Sequence, residues 1–371
     1  MSHVLITGGA GFIGSHLADA LLEAGHTVRV LDNLDPQVHG SDGRPAYLHD
    51  AVELQRGDVR DRSAVSRALD GVDRVCHLAA AVGVGQSMYQ IDRYTSVNDL
   101  GTATLLQALS ERGGVERLVV ASSMSIYGEG QYANADGEVV TDAMRTPDDL
   151  RAGRWELRDR AGRPLVPVPT SERKPVALSS VYAITKYVQE RLAIAVGAAY
   201  GIPTIALRFF NVYGPHQALS NPYTGVLAIF AARLLNGRPP MVFEDGRQCR
   251  DFVHVEDVAR ACVLALDAPA DRSGVFNVGS GQPVSIADVA RRLAAAMDRP
   301  DIAPEITGRF RMGDIRHCFA DVMAAKAALG FTARVPFDAG LVDLVGWLRT
   351  QHPVDRLGEA TDALAARGLT A

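Results

Sequence analysis

The chain has 371 residues, 47% hydrophobic and 22% charged, proportions that can bury a sizeable core and that exclude a disordered polymer. Its 38 basic residues against 43 acidic ones give a net charge of −5, which offers no bulk positive field to a nucleic-acid backbone, so no nucleic-acid partner is expected. Cys76, Cys249, Cys262 and Cys318 have no CxxC spacing, and no signal-like start or long apolar run is present, so a cytoplasmic protein without structural metal, disulfide framework or membrane span is expected.

In chain order, Val4–Ile6 reads as a strand ended by glycines, residues 13–24 as a helix that Gly25 can stop, and Val28–Leu31 as a second strand. The alternation continues with a strand at 72–78, a helix near 96–110, a strand at 117–121, a helix near 181–200 and a strand at 204–208. That rhythm predicts an α/β fold with a Rossmann-type doubly wound parallel sheet, whose ligands sit at the carboxyl ends of the strands. After residue 208 the regularity weakens, which predicts a smaller mixed α/β substrate-binding domain over 209–249 and 279–350, with 250–278 returning to the first domain. Residues 129–168 form a polar insertion, read as a surface excursion, and 353–371 as an amphipathic C-terminal helix.

Thr7–Gly14 (TGGAGFIG) lies between the first strand and the first helix, where glycines at 8, 11 and 14 let the backbone approach a pyrophosphate at a helix N-terminus. Phe12 and Ile13 belong to the same loop. Asp32 closes the second strand, with Asn33 after it, where a carboxylate can accept hydrogen bonds from adenosine ribose hydroxyls and repel a 2′-phosphate. NAD rather than NADP is therefore the expected cofactor, and Asp58-Val59 after another strand can hold the adenine.

Tyr182 and Lys186 stand four apart on a predicted helix, so their side chains share a face. A tyrosine is a poor base near neutral pH unless an adjacent ammonium favours its phenolate, which makes Lys186 the tuner. Ser122-Ser123 ends a strand at the same carboxyl edge.

These residues, together with HLAA at 77–80, SSMSIYG at 122–128, YAITK at 182–186, RFFNVYGP at 208–215 and RDFVHVED at 250–257, resemble the extended short-chain dehydrogenase/reductase family, in particular its nucleotide-sugar epimerases. The resemblance runs from about residue 1 to 350. It implies a catalytic Ser123, Tyr182 and Lys186, and a cofactor lined also by Leu78, Ala79, Ala80, Asn98 and Ser122. It further implies a nucleotide-diphosphate sugar bound by Gln86, Ser87, Ser125, Asn211, Arg250, Arg311 and Asp314, with Cys318 at a gatekeeper position. Met124 and Ser125 stand where dehydratases and decarboxylases of the family carry a carboxylate, which argues against those activities. Within the family the loop at 82–88, the SNPYTG stretch at 220–225 and the insertion look most like a bacterial branch whose sugar is dTDP-L-rhamnose. The implied activity is 4-epimerisation of that or another nucleotide-hexose, UDP-glucose and UDP-glucuronate included. The alternative is reduction of a nucleotide-4-ketosugar. A homodimer, paired through the helices near 96–110 and 181–200, is implied as well.

Overall fold

The computed structural model describes residues 1–40, 43–140, 143–219, 225–310 and 314–351, together with residues 358, 366 and 367. The expected helix over 353–371, most of the 220–225 stretch and Arg311 lie outside the described residues.

Seven parallel strands form the main sheet: β1 (His3–Thr7), β2 (Thr27–Asp32), β3 (Glu53–Arg56), β4 (Arg74–His77), β5 (Arg117–Ser123), β6 (Thr204–Phe209) and β7 (Gly274–Val278). Their spatial order is β3-β2-β1-β4-β5-β6-β7. The winding reverses between β1 and β4, the place where such sheets open a crevice at their carboxyl ends.

The central strands β1, β5 and β6 are buried along almost their whole length because both faces are covered, whereas the edge strand β3 (Glu53-Leu54-Gln55-Arg56) is polar. Side chains alternate along each strand, so Val4 and Ile6 enter one core while Leu5 enters the other, and Val119 and Ala121 part from Leu118 and Val120 in the same way. On the first face lie α1 (Phe12–Glu23), through Leu17 and Leu21, and the helix at Val255–Leu266, through Val258, Ala261 and Ala265. On the second face α2 (Arg62–Leu69), α3 (Gly101–Arg112) and α4 (Val181–Tyr200) contribute Val65, Leu105, Leu109 and Ala193. Each buried leucine or valine adds roughly 1.5–3 kcal/mol over its exposed state.

One expected helix starts differently. Thr95–Leu100 forms a π-helical turn that runs on into α3. Inside that turn the Asn98 amide accepts from the Ala81 N–H at 2.7 Å and donates to the Ala81 carbonyl at 3.1 Å and to Thr185 Oγ1 at 2.9 Å. The widened turn thus ties the loop after β4 to α4.

The smaller region is a mixed sheet of strands 211–213, 249–254, 283–285 and 317–318, backed by helices at 226–235, 286–296 and 337–348 around Phe230, Leu234, Val289, Leu293 and Leu344. The chain leaves this sheet at His254 and re-enters the main one through the 255–266 helix and β7. The 129–168 stretch builds its own antiparallel sheet from 131–133, 139–140 and 166–168 over a small core of Tyr132, Leu157 and Leu165. Among the described residues no helix is long and apolar enough to cross a membrane.

Candidate active site

A cavity of about 910 Å³ opens at the carboxyl ends of the main sheet and is lined on its other side by residues of the smaller region. Its size is at the upper end of the range for small-molecule and cofactor sites.

At its floor, Gly8 has φ +70° and a Cβ there would lie 2.8 Å from the backbone of Ala79. A Cβ on Gly14 would meet Gly9 Cα at 2.4 Å, so α1 can leave the sheet edge at this angle only without a side chain. The helix begins at Gly11 with no side-chain cap, which leaves an anion-attracting N-terminus uncovered by protein side chains. Asp32 accepts from the Ala10 N–H at 3.1 Å through Oδ2 and from the Leu34 N–H at 2.9 Å through Oδ1, so it braces the glycine loop as well as facing the cavity. Phe12, Ile13, Asn33, Asp58, Val59, Leu78, Ala79, Ala80 and Ser122 line the same space. The Arg60 guanidinium beside Asp58 holds that carboxyl below its usual range. The cradle that side chains at Gly8 and Gly14 would fill, and the acid at the end of β2, fit a bound NAD. Asn98 does not reach the cavity; its hydrogen bonds are spent on the loop and α4.

Tyr182 and Lys186 sit in the first turns of α4, which starts at Ser180, whose Oγ accepts from the Ala183 N–H at 3.1 Å. Both residues line the cavity with Ser123 from the end of β5. Burial pushes the Tyr182 phenol up to about 12, opposed by a hydrogen bond with Ser123. Burial brings the Lys186 ammonium down to about 7, opposed by the charge of Glu190. Lys186 Nζ donates to Gln189 Oε1 at 2.7 Å, and Gln189 Nε2 donates to Thr102 Oγ1 at 2.8 Å. Below this layer Ser122 Oγ donates to Glu190 at 2.7 Å, and Glu190 is paired with the buried Arg208 at 2.6 Å. Glu190 was not among the sequence candidates, although its place one turn after Lys186 on the same helix face is a readable signal.

On the sugar side, Gln86, Ser125, Asn211 and Asp314 line the cavity. Ser125 Oγ and Asn211 Oδ1 are buried without a hydrogen-bond partner, the signature of groups that await a polar ligand. Three other candidates do not line the cavity. Ser87 Oγ accepts from the Tyr182 N–H at 3.0 Å and also bonds the Val84 carbonyl. Arg250 donates to the carbonyls of Cys249, Ile315 and Arg316 and lies 3.7 Å from Asp314. Cys318 is packed among Met124, Ile126, Tyr127 and Phe210, 3.8 Å from Thr170 Oγ1, so it stands behind the wall rather than at a gate. The sequence reading also missed four lining residues: Gln37 and Gln217, which lie in no motif, and Phe210 and Phe252, which sit inside RFFNVYGP and RDFVHVED. Away from the cavity, His254, Glu256 and Asp343 bring ligand-type atoms within 4.8 Å of one another, with both carboxylates exposed.

A sequence model described as the NAD dependent epimerase/dehydratase family matches residues 4–147 and 161–279. The chain is 37% identical over 348 residues to a dTDP-L-rhamnose 4-epimerase of Burkholderia thailandensis, covering 93% of this chain and 94% of that one. Among solved structures, Thermotoga maritima UDP-glucose 4-epimerase with UDP-glucose superposes with a TM-score of 0.76 at 30% identity, over 94% of this chain and 98% of that one. The Thermus thermophilus UDP-glucose 4-epimerase complex with NAD gives 0.73 at 32% identity, over 94% and 100%.

Proposed function

The chain belongs to the NAD dependent epimerase/dehydratase family, and we propose that it is a nucleotide-sugar 4-epimerase whose substrate is dTDP-L-rhamnose or a related nucleotide-hexose. The observation that carries this reading is that Ser123, Tyr182 and Lys186 share one cavity with the glycine cradle and the orphaned Ser125 Oγ and Asn211 Oδ1.

Bound NAD would supply a hydride acceptor that later returns the hydride to the same carbon. Gly8, Gly11 and Gly14 would admit its pyrophosphate, Asp32 its ribose, and Lys186 would stand beneath it. Tyr182 as phenolate takes the proton of the sugar 4-hydroxyl, with the Ser123 hydroxyl hydrogen-bonded to the same oxygen, and gives it back once the sugar ring has turned over. Lys186, when protonated, would favour that phenolate, which burial alone disfavours. The orphaned Ser125 Oγ and Asn211 Oδ1 would gain hydrogen bonds from the bound nucleotide sugar. Met124 and Ser125 supply no carboxyl group for water elimination, which supports epimerisation over dehydration.

A homodimer is part of the proposal: Leu100, beside α3, and Ile184, on α4, are exposed apolar residues that a second copy would cover. A cytoplasmic location is proposed too, supported by four cysteines that are all free.

The test is cofactor retention. An epimerase that returns its hydride has no need to exchange cofactor, so heat-denatured purified protein should release about one NAD per chain. Protein that purifies empty and needs added NAD(P)H for every turnover would favour the ketosugar reductase.

A further inference from the structure

Two charged side chains of the 129–168 insertion, Glu129 and Arg145, end not in solvent but in a buried charge cluster. Arg145, 3% exposed at its side chain, lies 3.3 Å from Glu129 and 2.6 Å from Glu244, and donates to the main-chain oxygen of Asp314 at 2.6 Å. Arg316 is fully buried and is bound at 2.9 Å to Glu244 and at 2.7 Å to Asp245, with Glu156 of the insertion closing its other side. Two guanidiniums thus face the two most buried carboxylates, Glu129 and Glu244, so the inner set is neutral. Asp245 and Glu156 stand at its wetter rim, 31% and 45% exposed. A cluster so composed is costly to break by removing one member, because the partner charge stays buried.

The cluster has one destination. The Glu129 carboxylate accepts from the Arg316 N–H at 2.9 Å and the His317 N–H at 3.4 Å, and the Gly130 N–H donates to the His317 carbonyl at 2.8 Å. From the opposite side Arg250 takes the carbonyls of Ile315 and Arg316. Arg145, Glu129, Gly130 and Arg250 each bond the main chain of residues 314–317, and Asp314 and Ile315 are lining residues of the cavity. Among the described residues of the insertion none lines the cavity.

We propose that Arg145 is a positioning residue through which the 129–168 insertion sets the sugar-side wall, holding Asp314–His317 in place for the nucleotide sugar. This rests on the nucleotide-sugar reading given above. The glycine loop and Asp32, which would hold the cofactor, belong to other elements, so the device acts on sugar affinity and leaves cofactor affinity alone.

Arg145→Met and Arg145→Lys in the full chain test it. KM for the nucleotide sugar should rise about tenfold in Arg145→Met and about threefold in Arg145→Lys, which keeps the charge but cannot reach both carboxylates and the carbonyl. Turnover number should stay within about twofold and NAD content should be unchanged. A fall in melting temperature with unchanged KM would reduce Arg145 to a structural role and overturn the proposal. Should Arg145→Met fail to fold, the KM of Arg145→Lys decides by the same criterion. Calorimetric binding of dTDP-L-rhamnose and UDP-glucose separates the two levels. Wild type that binds neither sinks the nucleotide-sugar reading and this inference with it, whereas wild type and variants that bind alike sink this inference alone.

Discussion

The main-chain N–H of Tyr182 donates to Ser87 Oγ at 3.0 Å, joining residues 95 positions apart. Ser87 lies in the short helix that follows β4, and the bond fixes the entry of α4 against the loop that borders the sugar. Ser87→Ala leaves a donor without a partner at the catalytic helix, at a cost of about 1–3 kcal/mol. Chemical denaturation should show that loss, and turnover should fall with it while NAD content is kept.

Tyr182→Phe removes the phenol that is hydrogen-bonded to Ser123 and that the proposal makes the proton acceptor of the 4-hydroxyl. Turnover should drop by about 10²–10⁴, with bound NAD retained. Ser123→Ala, which removes only the assisting hydroxyl, should lose less. Equal losses from both, together with loss of cofactor, would point to collapse of the site.

Lys186 makes stability depend on pH in a definite direction. Its unfolded pKa is about 10.4, whereas burial brings the folded value down to about 7. Between these the unfolded chain holds the extra proton, so the folded state gains stability as pH rises from about 7 towards about 10, and below that window the full cost of burying the ammonium is present. Cofactor-free wild type should therefore gain on Lys186→Met in melting temperature between about pH 7 and about pH 9. Parallel curves would contradict it.

Gly14→Ala would place a methyl 2.4 Å from Gly9 Cα, a backbone atom that cannot swing aside. The variant should shift the start of α1 and lose its NAD, which absorbance of the perchloric extract would report. Gly25→Ala serves as a contrast, because a Cβ there meets nothing, although φ +82° makes that site strained in its own right.

The legible part of the site was what chain-local spacing encodes. The glycine loop had to follow a strand and open a helix, Asp32 had to end the next strand, and Tyr182 and Lys186 had to share a helix face; each is a relation between near neighbours in sequence. The seven-stranded parallel sheet followed from the strand and helix rhythm for the same reason. What stayed hidden depends on distant pairing. Nothing local in the sequence says that Arg250 turns to the carbonyls of 315–316, or that Cys318 packs behind the wall, because both are decided by the pairing of strand 249–254 with 317–318. The π-helical turn at Thr95–Leu100 is equally non-local, since it exists to bring the Asn98 amide to Ala81 and Thr185. The insertion's charges read as solvated polar residues until their partners in 244–245 and 314–317 are in view.

The central claim is that one cavity oxidises and re-reduces the same sugar without cofactor exchange. Purified protein, with no cofactor added, would be mixed with dTDP-L-rhamnose, UDP-glucose, UDP-galactose and UDP-glucuronate in turn, and the anomeric protons followed by NMR. A C4 epimer should grow to an equilibrium mixture for at least one of them, with no net redox change. No new sugar on the whole panel, together with turnover of a nucleotide-4-ketosugar that consumes added NAD(P)H, would contradict it.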